Sequence, residues 1–298
     1  MTLTFDRDTM SAVATRVCTQ LGLEDDQELL HLSNNAIIAL PSNKLVVRIL
    51  RSHTLTDRPF KTVRLGRWFN DIEAPTIALW DTIDQPLTID GHLVTIWEYL
   101  PPQDPEPDAT DLGSTLREWH QLTPPADIVS QWDPITPARQ RIADAPQLPT
   151  TDKQYLSDWC DHLEPHVKRI VQQNPTALIH GDAHPGNLLR DKGGQVRLCD
   201  FDSTATGPFQ VDLAAIAAAS TWFHTYDTHR QLATAYGYDV TTDPEWAIFK
   251  ETRELTFVLG GVPHLNNPSV AAEFRHRLTS IQSGISTVPW TPYSQLTR

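Results

Sequence analysis

The amino-acid sequence predicts an α+β fold in two parts, an antiparallel sheet of about five strands followed by a mainly helical region. Three observations carry this. The first hundred residues place short apolar runs between turn-forming dipeptides, the pattern of strands. From Pro101 to Pro107 four prolines fall in seven residues, which can build neither a helix nor a central strand and so mark a boundary. Beyond it, apolar residues recur at three- and four-residue spacing, interrupted only between Leu178 and Asp202. The expected division is therefore residues 1–100 and 101–298.

In chain order, Met10, Val13, Ala14, Val17 and Leu21 lie on one stripe of an opening helix that Gly22 would end. Strand-like runs follow at Leu29 to Leu32, Ala36 to Leu40 and Lys44 to Leu50, separated by Ser33-Asn34-Asn35 and Pro41-Ser42-Asn43. Together they read as an antiparallel meander. Phe60 to Ile72 is helical in character. Leu87 to Ile89 and His92 to Trp97 flank Asp90-Gly91, the dipeptide that favours a two-residue hairpin turn. After the proline stretch, Leu112, Leu116, Trp119 and Leu122 mark a helix that Asp108 or Asp111 would cap. The proline-rich stretch from Pro124 to Pro149 reads as an irregular connection. Tyr155 to Ile170 reads as a long helix with a kink at Pro165. Further helices are expected at Val211 to Phe223, Thr228 to Tyr236, Glu245 to Leu259 and Ser269 to Ser283.

Composition narrows the function. The 298 residues hold 37 Asp and Glu against 24 Lys and Arg, a formal net charge of −13. A general nucleic-acid binder needs clustered cations to displace counterions, so that class is excluded. Cys18, Cys160 and Cys199 are odd in number and widely spaced, which supports neither a disulfide framework nor a zinc site. No run approaches the length of a membrane span. The chain reads as cytoplasmic.

The segment that carries chemistry is Leu178-Ile179-His180-Gly181-Asp182-Ala183-His184-Pro185-Gly186-Asn187-Leu188-Leu189, then a glycine turn, then Val196-Arg197-Leu198-Cys199-Asp200-Phe201-Asp202. It reads as a strand, a polar loop, a strand, a tight turn and a strand ending in two acids. An Asp, an Asn and a second Asp at one hairpin offer hard oxygen ligands for Mg²⁺ and leave one carboxylate to orient a hydroxyl. Phosphoryl transfer from a nucleotide requires that set, because its catalysis is largely positioning and charge neutralisation. A lone His-Gly-Asp arises by chance. The joint spacing, behind a sheet region and inside a helical one, is what raises it above coincidence.

The pattern H-G-D-A-H-P-G-N followed by D-F-D resembles the aminoglycoside phosphotransferase family, small-molecule kinases that share the bilobal protein-kinase-like fold. The resemblance extends over the meander, Trp97-Glu98-Tyr99-Leu100, Leu112-Gly113 to Trp119-His120, the hairpin, and Gly207-Pro208 to Asp212-Leu213-Ala214. It implies ATP and Mg²⁺ as cofactors, Asp182 as catalytic base, and Asn187 and Asp200 as the metal's ligands. It implies also that Trp97, Glu98, Tyr99 and Leu100 form a hinge whose backbone meets the adenine edge, and that Asp202 is a supporting acid. Asp212 and His180 would orient the loop, and His184 is divided between solvent and substrate.

Departures from kinase patterns are equally specific. Ser33, Asn34 and Asn35 stand at the turn where protein kinases carry a glycine-rich loop, and their donors could contact phosphate. Gly181 takes the place of a regulatory arginine and Asp202 that of the glycine in D-F-G, which argues against a regulated protein kinase. Arg48 occupies the place of the strand lysine that reaches the phosphates. The helix expected to offer that cation a Glu reads Pro59 to Arg67 without an acid. Either Glu73 or another carboxylate substitutes, or the pair is missing.

The acceptor would be a small hydroxyl compound. Residues 1–100 hold 13 acids and 9 bases, net −4, and residues 101–298 hold 24 and 15, net −9, so a cationic molecule such as an aminoglycoside or aminosugar suits the second part. Two other readings compete: a nucleotide-binding module without turnover, motivated by the missing helix acid, and a metal-dependent phosphoesterase. His162 and His166 read as a solvated helix face. Trp222, Phe223, Tyr226, Trp246 and Phe249 read as core aromatics with a ring-stacking platform as the lesser alternative.

Overall fold

The structure is a computed structural model that describes residues 5–32, 35–51, 57–125, 127–285 and 287–296. In chain order its elements are α1 (Arg7–Leu21), β1 (Glu28–Leu32), β2 (Asn35–Leu40), β3 (Leu45–Leu50), α2 (Asp57–Asp71), β4 (Leu87–Ile89) and β5 (His92–Glu98). There follow α3 (Ala109–Trp119), α4 (Ile135–Ala143), α5 (Thr150–Gln173), β6 (Ala177–Ile179), β7 (Leu188–Arg190), β8 (Val196–Leu198) and β9 (Ala205–Gly207). The chain ends in α6 (Gln210–Trp222), α7 (Tyr226–Tyr236), α8 (Trp246–Leu259), α9 (Pro268–Ser283) and the short α10 (Tyr293–Leu296).

The chain divides into two compact units. The first comprises Met1–Pro107, Pro125–Val129 and Gly186–Ser203, the second Asp108–Pro124, Ser130–Pro185 and Thr204–Arg298. The break expected after Leu100 thus falls after Pro107. The β7–β8 hairpin, expected within the second part, packs with the first unit, where the Leu198 amide donates to the Pro75 carbonyl and the Ile77 amide to the Leu198 carbonyl.

In the first unit the strands form one antiparallel sheet in the order β1-β2-β3-β5-β4. Asp90 and Gly91 both have positive φ, 51° and 79°, as a two-residue turn matching strand twist requires. The buried stripe of α1, Met10, Val13, Ala14, Val17 and Cys18, packs on Ile38, Val47, Val94 and Ile96 of the sheet. Burial of this apolar set, not helix propensity, holds α1 in place. The helix starts on Asp6, whose side chain accepts the Thr9 amide, and ends on Gly22 in the left-handed region.

In the second unit α4, α5, α8 and α9 enclose a core that includes Ile135, Ile142, Leu156, Leu163, Leu255, Val258 and Phe274. α4 corrects the reading of 124–149 as irregular. Its prolines, Pro134 and Pro137, sit before and within the first turn, where no intrahelical amide is lost, and Asp133 Oδ1 accepts the Ile135 and Thr136 amides. Ile135, Ala138 and Ile142 then fall on one buried stripe. α5 continues through Pro165, which lies on its exposed side. Asp108 and Asp111 both serve α3, as a reciprocal capping box. Among the described residues no helix is long and apolar enough to cross a membrane.

Candidate active site

In the first unit, β3 lies between β2 and β5, with Arg48 opposite Ile37 on one side and Thr95 on the other. Its side chain is buried and its Nη2 meets two carboxylates, Asp202 Oδ2 at 2.7 Å and Asp200 Oδ1 at 3.2 Å. So another carboxylate does substitute for the helix acid, and it is not Glu73. Burial favours the neutral form of Arg48, but the charges of Asp202 and Asp200 outweigh it and hold the proton more tightly than in a free arginine. Asp202 is gripped from α2 as well. The Thr62 hydroxyl donates to Asp202 Oδ1 at 3.2 Å, and Lys61 Nζ to the Asp202 carbonyl at 2.6 Å. Burial alone would raise the Asp202 carboxyl, yet the Arg48 guanidinium prevails and holds it below the usual carboxylate range. Burial pulls the Lys61 ammonium below the ordinary lysine value.

The β7–β8 register pairs Leu188 with Leu198, and one residue further the Cys199 amide donates to the Asn187 carbonyl at 2.9 Å. That places Asn187 and Asp200 at the same end of one hairpin. Asp200 adopts φ 63° and keeps its side chain 45% exposed, whereas the Asp202 side chain is 20% exposed. Phe201 between them is buried, its ring 4.9 Å from Phe69 of α2 and 5.8 Å from Trp97 of β5. The expected strand ending in two acids stops at Leu198; the left-handed turn at Asp200 and a 3-10 turn over Phe201–Ser203 bury Phe201 and bring both acids to Arg48. Burial, with the Asp200 charge beside it, pushes the Cys199 thiol up to about 12, so it is no thiolate nucleophile.

Trp97 is a buried sheet residue whose indole donates to Thr95 Oγ1, and Gly66 of α2 lies directly against its ring. The Glu98 amide donates to the Ala78 carbonyl and the Tyr99 amide to the Lys44 carbonyl, so neither is available to a base edge. Asn35 opens β2, paired with Leu50. Ser33 and Asn34 lie outside the described residues.

In the second unit, Asp182 projects from the loop after β6. Gly181 has φ 82°, a conformation that a residue with a Cβ rarely adopts, and this turns its amide onto Asp212 Oδ1 at 2.8 Å. The His180 amide donates to Asp212 Oδ2 at 2.7 Å, and His120 Nε2 meets the same oxygen at 2.9 Å while its Nδ1 meets the Tyr236 hydroxyl. Asp212, in the first turn of α6, is fully buried. Burial would raise its carboxyl, but the hydrogen bond and charge of His120, the nearby His180 ring and the His180 amide bring it below the usual range. The His180 ring is itself buried against Trp119 and accepts the Asp182 amide at Nδ1. The loop is therefore pinned from beneath, with its carboxylate outward: the Asp182 side chain is 51% exposed. His184 is exposed.

Arg253 of α8 is a residue that sequence reasoning missed. Its Nη1 donates to the Gly181 carbonyl at 3.1 Å and its Nη2 to Asp182 Oδ1 at 3.3 Å. One signal was present: Arg253 lies four residues after Phe249 on the stripe that α8 buries, where a lone cation needs a partner. Lys61 and Thr62 were passed over too, being the wrong residue types for the acid sought on α2. His162 and His166 lie side by side on α5, their rings 5.3 Å apart, with the His162 side chain exposed. Trp222, stacked on Trp290 at 4.6 Å, and Phe249 are buried as core aromatics, Phe223 and Trp246 are half-buried, and Tyr226 is not core, its side chain standing exposed.

A family model described as the phosphotransferase enzyme family matches residues 31–251. No curated protein sequence is significantly similar to the chain. Solved structures with a similar fold include the amicoumacin kinase hAmiN in complex with AMP-PNP, Ca²⁺ and amicoumacin, at 12% identity and a TM-score of 0.69, covering 97% of this chain and 100% of that one. Choline kinase LicA from Streptococcus pneumoniae matches at 15% identity and a TM-score of 0.67, covering 92% and 99%. The aminoglycoside phosphotransferase APH(3'')-Id from Streptomyces rimosus matches at 15% and 0.60, covering 83% and 97%. The fold is kinase-like, with an antiparallel sheet in its first part and helices in most of the rest. With the match running from the opening strands through the hairpin acids to α8, the chain belongs to the phosphotransferase enzyme family.

Proposed function

We propose that the protein is a Mg²⁺- and ATP-dependent O-phosphotransferase that moves the γ-phosphoryl group to a hydroxyl of a small molecule. The observation that carries the reading is Asp182: a half-exposed carboxylate on a loop whose backbone is fixed by a buried acid, beside a guanidinium that limits its rotation. Such a group can accept the proton of an incoming hydroxyl while its position costs nothing at the moment of reaction.

Asn187 and Asp200 fit Mg²⁺. They supply one carboxamide oxygen and one exposed carboxylate at the same hairpin end, and Mg²⁺ is bound by few protein oxygens because it retains water and phosphate ligands. When bound, the ion neutralises charge on the nucleotide's phosphates. Arg48 supplies the fixed positive charge on the sheet side. With the Glu98 and Tyr99 amides already committed, the adenine edge is read by Leu100 and the neighbouring carbonyls, and Trp97 contributes packing alone.

Arg48 having acid partners removes the motive for a binding module without turnover. The acceptor is a small, cationic hydroxyl compound, in keeping with the −9 of residues 101–298 and with the aminoglycoside and choline named for two of the similar structures. An ATP-consumption screen across aminoglycosides, aminosugars, amino alcohols and macrolides tests this. Phosphate release from simple monoesters without nucleotide would refute it in favour of a phosphoesterase.

A further inference from the structure

Between Arg58 and Asn70, α2 carries no acid, so the strand cation cannot find its partner there. At the place where an acid would be sought, α2 offers Lys61 and Thr62, and both reach Asp202. The polarity of the contact is inverted. The helix presents donors, and the carboxylate comes from the third residue of Asp200-Phe201-Asp202. One Asp202 oxygen takes the Arg48 guanidinium, and the other lies 3.2 Å from the Thr62 hydroxyl, whose one proton it shares with the Arg58 carbonyl at 2.9 Å. Asp200 holds Arg48 at 3.2 Å against 2.7 Å for Asp202 and is more than twice as exposed, 45% against 20%. The two acids are thus unequal: one is engaged by protein on both oxygens, the other open to solvent.

We propose that Asp202 is a positioning residue for nucleotide binding: it holds the Arg48 guanidinium in place for the phosphates, and leaves Asp200 to the metal. Because the Arg48–Asp202 contact is the shorter, Arg48 keeps its place when a cation takes Asp200. The assignment rests on the reading that the first unit binds ATP, and it makes Asp202 no metal ligand.

The test is calorimetry of AMP-PNP binding, with EDTA and again with Mg²⁺, well below the unfolding temperature, on the full chain. Arg48→Met and Asp202→Asn should each weaken metal-free binding about 10-fold, the low end for loss of a group that orients a ligand. The double variant should bind as Arg48→Met does, and Asp202→Glu should restore most of the affinity. Asp200→Asn should behave differently, losing the Mg²⁺-dependent gain while keeping metal-free affinity. If the two losses multiply in the double variant, or if Asp202→Asn loses only the Mg²⁺-dependent gain, the proposal is wrong. Should Asp202→Asn not fold, because buried Arg48 loses its shorter carboxylate contact, the double variant against Arg48→Met still decides. A wild-type protein that binds AMP-PNP under neither condition overturns the function reading itself, which is a different result.

Discussion

Replacing Asp212 by Asn tests whether one buried side chain holds the loop that carries Asp182. Its Oδ2 accepts the His180 amide at 2.7 Å and meets His120 Nε2 at 2.9 Å, and its Oδ1 accepts the Gly181 amide at 2.8 Å. Asn keeps the shape but only one acceptor oxygen. With that oxygen in the Oδ2 position two contacts persist, while the new amide faces the Gly181 N–H donor to donor. One buried amide left without an acceptor costs about 1–3 kcal/mol. Loss of charge on the surviving bonds adds roughly 1 kcal/mol more. The sum, about 2–4 kcal/mol, is a large part of the ~5–15 kcal/mol that holds a folded chain. At about 2–4 °C per kcal/mol for a chain of this size, Tm should fall by about 5–15 °C. The gap should depend on pH. Partners depress the native Asp212 carboxyl below the 3.8 of an unperturbed one, so its contribution is complete above that value and is lost as pH falls from there through the native value. Thermal unfolding of both proteins between pH 3 and 8 should show a gap at neutral pH that narrows below about pH 4. Equal Tm values at neutral pH, or a gap that does not change down to pH 3, would refute the reasoning.

Three further outcomes follow from the same geometry. Asp182→Ala should lower kcat at least ~100-fold with ATP affinity nearly unchanged; steady-state kinetics beside nucleotide calorimetry checks this, and parallel loss of both would remove Asp182 from the base role. Arg253→Met should lower kcat by about 10-fold with little change in nucleotide Kd, because it frees Asp182 Oδ1 and the Gly181 carbonyl in the second unit only; Arg253→Lys should recover part of the rate. Gly66→Ala sets two effects against each other. Alanine ordinarily favours a helix by about 1 kcal/mol, but a Cβ here would stand 2.9 Å from Leu79 Cβ and 3.0 Å from the Trp97 ring, and overpacking costs about 1–3 kcal/mol. The melting temperature should fall; a rise would show that α2 can shift at no cost.

The elements were legible where local chemistry alone decides them. The α1 stripe and its Gly22 stop, the Asp90-Gly91 turn, the meander and the stripes of α5 to α9 depend on residues within one or two turns of one another, and periodicity reads those directly. α4 was not legible, because a proline breaks a helix only in its interior: Pro134 and Pro137 occupy the start of α4, where Asp133 caps the free amides. The division after Leu100 missed for a different reason. Pro101 to Pro107 does interrupt the chain, but the β7–β8 hairpin joins the first unit through bonds to Pro75 and Ile77, more than a hundred residues earlier. A linear scan cannot see a pairing of that span.

The motif named Asp182, Asn187 and Asp200, but the side chains that hold them are another matter. Arg48 and Asp202 are 154 residues apart, Arg253 and Asp182 are 71 apart, and neither pairing has a local signature. A buried cation needs a carboxylate nearby and not one at a fixed place on α2, and the third residue of Asp200-Phe201-Asp202 provides it. Once Asp202 supplies it, an acid at position 61 or 62 would be unfavourable, since it would set a second carboxylate against Asp202 with Asp200 close by. A cation and a hydroxyl at those positions add no such repulsion: Lys61 donates to the Asp202 carbonyl and the Thr62 hydroxyl lies against its carboxylate, which fixes where Asp202 stands. The missing acid, Lys61, Thr62 and Asp202 therefore belong to one arrangement, in which Asp202 supplies Arg48 with the carboxylate that α2 lacks.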